Sequence, residues 1–310
     1  FKPDSDTLDL RIHCSNYYHR RGGFWRQMQF GISEKITRLE QRHHFISTIT
    51  VGALSAFLLF FFFFYLFYPR KKIFLYFSLI VLGILARLIS VGDYQVLLIY
   101  ELPWKCVIRI EYIGICLALI MGGWYFYSIY PQKYLKTINW INTIISIILI
   151  FIIQGTEVRF FAYTVYYFES IGALMIIYYS IYSLRKFILS RSLDDALFFS
   201  GLLVFSIVLV NDIGIANAKY DVALTPNYAI HFAVIYFVFV QALILIRSWI
   251  QAFEVKEKLN HEVKHLNENL ENIIKERTKE LENQKFQVKE QNKELHKSLS
   301  FKNKLFSIIA

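Results

Sequence analysis

The chain has 310 residues, a formal net charge of +10, and is 55% hydrophobic and 18% aromatic. Soluble domains average about 45–50% apolar, so the total alone excludes little. The distribution excludes more: residues 45–247 are apolar runs of about 18–25 residues, the length that crosses a bilayer core, and the basic residues cluster at run ends and along 254–304, which argues against nucleic-acid binding.

The first 44 residues are polar and strand-like. LDLRIHCS at 8–15 and FWRQMQFG at 24–31 alternate apolar and polar around Gly22 and Gly23, the pattern of a hairpin. A lone hairpin is not stable in water, so these strands are expected to finish a larger β domain that precedes Phe1. A domain outside the cell needs a signal peptide, and Phe1–Leu8 is not one, so the N-terminus is expected to be a domain cut.

Seven spans follow, near 45–68, 73–91, 106–130, 137–154, 160–184, 196–215 and 228–247. Hydrocarbon offers the backbone no hydrogen-bond partner, so continuous runs of this kind must be helices; a transmembrane barrel would show short alternating strands. The loops after spans one, three and five hold Arg70, Lys71, Lys72, Lys133, Lys136, Arg185, Lys186 and Arg191. Those after spans two, four and six hold only Lys105, Arg159 and Lys219. The positive-inside rule therefore puts the C-terminus in the cytoplasm and the N-terminus outside. Arg38 and Arg42 oppose the rule, but they would belong to a folded domain, and such domains translocate largely regardless of charge.

After Arg247 the pattern becomes heptad-like. Leu259, Val263, Leu266, Leu270 and Ile273 step by four and three; Leu281, Val288 and Leu295 repeat every seven, with Leu299, Phe306 and Ile309 in frame. The frames are offset by one residue near Ile273, a stutter that locally unwinds a coil. An apolar seam among Lys, Glu, Asn and Gln predicts a parallel dimeric coiled coil rather than a single solvated helix.

Four stretches carry a family resemblance. SNYYHRRGGFWRQMQFG at 15–31 resembles the end of the extracellular jelly-roll domain of bacterial seven-transmembrane receptors with diverse intracellular signalling modules. The seven-span block resembles that family's membrane domain, including Arg87, RIEY at 109–112 and Asp212. IIKERTKEL at 273–281 resembles a signalling stalk, and FKNKLFSIIA at 301–310 the opening of a histidine kinase dimerisation helix.

The resemblance implies an all-α membrane protein: a seven-transmembrane-helix bundle, a cytoplasmic dimeric coiled coil, and a short β remnant at the N-terminus. Its expected domains are sensor strands (1–41), membrane domain (42–248), stalk (249–300) and the start of the kinase helix (301–310). The implied location is the bacterial inner membrane. Implied partners are a second copy through the stalk, a response regulator, the lipid bilayer and a small extracellular ligand of carbohydrate type. ATP and magnesium would serve the parent kinase, and this chain would hold no cofactor. In the family the phosphoacceptor histidine follows the last stretch directly, so a histidine and an acidic residue are expected after Ala310. None of the eight histidines present matches that position, and the chain itself should be catalytically inert.

No catalytic residue stands out: there is no nucleophile–base pair, Gly-rich phosphate loop or metal cluster. Cys14, Cys106 and Cys116 form neither a disulfide framework nor a ligand spacing. His43 and His44 read as interfacial, and His261, His265 and His296 as solvated stalk surface. The intramembrane charges say more, because charges in a bilayer are costly and face the bundle interior. Arg87, Arg109, Glu111 and Asp212 fall at similar depth near the outer ends of spans two, three and six, with Glu169 deeper in span five. Arg109 and Glu111 are two apart and point to different sides of one helix. The expected closure pairs Arg109 with Asp212 and Arg87 with Glu111, though the opposite pairing is allowed. Competing readings are a cyclase or a non-enzymatic scaffold on a similar stalk, and a light-driven pump or transporter. Span seven has no Lys for a retinal Schiff base, and inverted repeats of broken helices are not evident.

Overall fold

In the computed structural model the described residues are 13, 31–91, 95–99, 101–216 and 229–309. They form eight helices: α1 (Ser33–Phe67), α2 (Lys72–Ser90), α3 (Val96–Ile99), α4 (Trp104–Ile129), α5 (Lys133–Gly155), α6 (Val158–Ser190), α7 (Leu193–Ala216) and α8 (Ala229–Ile309). All but α3 are long and apolar enough to cross a membrane, and no strand occurs among the described residues. The expected hairpin at 8–15 and 24–31 lies outside them, apart from His13 and Gly31. The chain divides into two compact units, Phe1–Leu245 and Ile246–Ala310, with the division inside α8.

The seven expected spans each fall on a helix, but the helices overrun them. Residues 33–44, read as strand-like, are the opening of α1. Hydropathy marks the part of a helix that lies in hydrocarbon; the polar turns before it are helical for local reasons, such as the Arg38–Glu34 pair at 2.6 Å one turn apart. α6 likewise begins at Val158 and runs to Ser190.

Where the chain turns, capping is local. α6 ends on Arg191 in the left-handed region (φ 51°), whose N–H donates to the Phe187 carbonyl at 2.8 Å. Ser192 then caps α7, its Oγ accepting from the Asp195 N–H at 3.1 Å while donating to the Asp195 carboxylate at 2.8 Å. Tyr130, just past α4, also donates its hydroxyl to Asp195 and so ties the α4 terminus to this turn.

α4 is the hub of the membrane unit, packing on α2, α5 and α6, while α1 packs on α2 and α6 on α7. The α2–α4 crossing is especially close. A Cβ on Gly83 would sit 2.5 Å from the Gly114 carbonyl oxygen and 2.8 Å from the Ala118 nitrogen; one on Gly114 would sit 2.7 Å from the Gly83 oxygen. Small residues allow this because lipid supplies no hydrophobic drive between helices, and close backbone packing takes its place. Gly122, by contrast, faces open space, with nothing within 4 Å of a Cβ. Replacing Gly83 by Ala should therefore destabilise the domain by about 1–3 kcal/mol, as overpacking does. Gly122→Ala should leave it unchanged or slightly more stable. Thermal unfolding of both variants in nanodiscs measures the difference.

Candidate functional site: a charged cluster inside the helix bundle

Hydrogen bonds between side chains and neighbouring helices run through the membrane unit. Tyr125 donates to the Gln241 amide oxygen (3.1 Å), joining α4 to α8. Asn139 donates to the Gly123 carbonyl (2.7 Å) and accepts from Tyr179 (3.2 Å), joining α5 to α4 and α6. Asn142 donates to the Leu119 carbonyl (3.1 Å), and Ser180 and Ser206 share a bond of 2.8 Å between α6 and α7.

The charges lie apart from these. Arg87 is in the last turn of α2, and Glu111 is in the second turn of α4. Successive spans cross in opposite senses, so the end of α2 and the beginning of α4 reach one end of the bundle. Arg87 Nη1 stands 3.7 Å from Glu111 Oε1. The same nitrogen stands nearer Glu169, at 3.4 Å, and donates a hydrogen bond to it. One guanidinium nitrogen thus faces two carboxylates from different helices. Both distances exceed the ~2.7–2.9 Å of a tight charge-assisted bond. All three side chains are 12–25% exposed.

Sequence reasoning left Glu169 outside the cluster because it sits deeper than the rest. A long Arg side chain reaches along a helix, and that spans the difference in depth. A lone carboxylate inside an apolar span needs a cationic partner, and this signal was available.

Arg109 bonds to the end of a neighbouring helix. Its Nη2 donates to the Thr156 carbonyl at 3.2 Å, and Thr156 is the C-cap of α5. A cation here satisfies an orphan helix-end carbonyl and complements the α5 dipole. Arg109 Nε is buried and has no hydrogen-bond partner among the described residues. Asp212 belongs to α7, but its side chain lies outside the described residues, and with it the expected Arg109–Asp212 pair. The seam residues from Leu259 to Leu299 lie on α8 and are exposed in the single chain, from 48% at Leu270 to 66% at Leu281. Among the described residues no group of three or more His, Cys, Asp or Glu is placed to hold a metal ion.

Seven helices long and apolar enough to cross a membrane, the last of them running on through a long exposed stretch, define a multi-pass membrane protein. The family model described as 7TM diverse intracellular signalling matches residues 43–248, more than half of the chain, and the chain belongs to that family. It is a transmembrane sensory receptor domain with an intracellular signalling role. No curated protein and no solved structure matches it.

The cluster predicts its own energetics. Arg87→Gln leaves Glu111 and Glu169 without their shared cation and should cost roughly 3 kcal/mol, the lower end for breaking a buried ion pair because the groups are partly exposed. Adding Glu111→Gln and Glu169→Gln to Arg87→Gln should restore most of that stability, since no charge is then left stranded. Thermal unfolding of the single and triple variants in nanodiscs reads the recovery.

Proposed function

We propose that this chain is the membrane and stalk portion of a sensor histidine kinase, oriented with its N-terminus outside and its C-terminus in the cytoplasm of a bacterium. The observation that carries the reading is the seam on α8. Leu, Val and Ile residues at heptad spacing stand exposed along a helix whose other faces are charged, and a second identical helix offers a matching seam at matching spacing. FKNKLFSIIA, directly after that seam, is similar to the opening of a kinase dimerisation helix. The Lys and Arg bias of the loops supports the orientation.

In this reading an extracellular small molecule, of carbohydrate type by family resemblance, biases the bundle. The Arg87 cluster is the bistable element. A guanidinium nitrogen at 3.4 and 3.7 Å from two carboxylates can tighten onto Glu111 or onto Glu169 with a small helix displacement, and each choice favours a different α2–α4–α6 packing. The bias passes along α8 to an output domain that binds ATP and magnesium, phosphorylates its own histidine and transfers the phosphoryl group to a response regulator. The second reading is a receptor with a cyclase output or a non-enzymatic scaffold; the 301–310 stretch favours the kinase.

The full-length receptor in membrane vesicles should take up label from γ-labelled ATP in a base-stable, acid-labile form. Cyclic nucleotide production without protein labelling would reverse the assignment to the second reading.

Single cysteines placed on the seam, at Val263, Leu270, Val288 and Leu295, should crosslink between copies faster than cysteines at Lys264 or Glu290. Equal rates around the helix would remove the seam. One residue turns a helix face by about 100°, so deleting a full heptad between Leu281 and Leu295 should preserve regulation, whereas deleting one residue should lock the output on or off.

A further inference from the structure

The membrane unit holds a partly open cavity of about 170 Å³ whose walls come from α2, α4, α6, α7 and α8. Its lining is aliphatic and aromatic except at one place, where Arg87 and Glu169 both reach it. The tyrosine hydroxyls on its wall are already committed, Tyr125 to Gln241 and Tyr179 to Asn139. Gly122 contributes no side chain, and a Cβ there would meet nothing within 4 Å.

We infer that this cavity is a binding site for a small amphiphile that enters from the lipid phase, with an apolar body and a hydrogen-bond-donating head directed at Glu169. Size sets the body. An apolar protein cavity of about 150 Å³ holds benzene, so this one takes a single aromatic ring with a short substituent. Electrostatics sets the head. Glu169 makes one contact with a described residue, the 3.4 Å bond from Arg87, which leaves its carboxyl group with acceptor capacity towards the cavity. Arg87 is already shared by Glu111 and Glu169, and Glu169 stands beside it on the cavity wall, so an anionic head would meet like charge there. An ammonium or a hydroxyl fits; a carboxylate does not.

The site differs from the extracellular ligand of the proposed function and does not rest on the kinase reading, because its test reads binding alone. An occupant would touch Val234 and Phe237 of α8 as well as the Arg87–Glu169 pair, so it would also bear on the packing of the helix that leads into the stalk.

The test uses 4-fluorobenzylamine and ¹⁹F transverse relaxation, with the chain in nanodiscs and empty nanodiscs as the baseline. Wild-type chain should broaden the signal beyond the baseline, and excess benzylamine or benzyl alcohol should reverse the broadening. Gly122→Leu, which fills the cavity, should abolish it, and Ala173→Leu on the facing wall is the second filling variant should the first lose its helical circular dichroism. Glu169→Gln should weaken competition by benzylamine while sparing benzyl alcohol, since an amide oxygen still accepts from a hydroxyl. Broadening equal to the baseline overturns the site, as does broadening that survives cavity filling. Competition by sodium benzoate or toluene as strong as that by benzylamine overturns the assigned head.

Discussion

Everything in the membrane unit follows from the absence of water in the hydrocarbon core. A backbone amide there has no partner but another backbone group, so each span closes into a helix. The same absence weakens the hydrophobic effect between helices, because lipid tails are as apolar as Leu. Cohesion then falls to two devices visible here. One is close backbone approach, as at Gly83 and Gly114. The other is the hydrogen bond from a polar side chain to a neighbouring helix, as Asn139 makes to Gly123 and Asn142 to Leu119.

These two devices divide the bundle into stiff and yielding parts. The α2–α4 crossing is held by backbone against backbone, with no flexible side chain between them to absorb a shift. The amide and hydroxyl bonds that tie α5 to α4 and α6, and α4 to α8, lie between 2.7 and 3.2 Å. The contacts of Arg87 with Glu169 and Glu111 are longer, at 3.4 and 3.7 Å, and Arg87 and Glu169 border a cavity rather than a packed core. In the proposed switch, this electrostatic contact beside an apolar void is the place where two arrangements are close in energy.

How much of this the sequence disclosed depended on the range of the signal. The spans were legible because some twenty consecutive apolar residues have no other common use. Their ends were not: residues 33–44 join α1 through helical propensity and short-range pairs such as Glu34–Arg38, which hydropathy does not register. The charged cluster was half legible. Cost in the bilayer pointed to Arg87 and Glu111, but the partnership with Glu169 depends on the reach of one side chain across two helices, and Arg109 chose a carbonyl that exists only once α5 ends at Thr156. The cavity was illegible, because a void is a property of five helices together and leaves no pattern in any one of them.

The stalk reverses this relation between sequence and structure. Its seam is plain in the heptads, yet in one chain it is simply exposed: Leu259, Val263 and Leu295 stand 54–60% accessible beside the charges around them. A helix polar on most faces gains nothing from its own chain that would justify a row of Leu and Val at intervals of three, four and seven. Each such side chain is worth about 1.5–3 kcal/mol when fully buried, so a seam of this length is a large free energy left uncollected in the monomer. In the membrane unit it is the polar residues that need explaining, and several, such as Arg87 and Asn139, have partners inside the chain. In the stalk it is the apolar residues that need explaining, and the proposed second copy would offer a seam of the same spacing. The stutter near Ile273 sharpens the point: a break in phase has no consequence for a solitary helix, but in a pair it marks where the coil unwinds and one face can be exchanged for another.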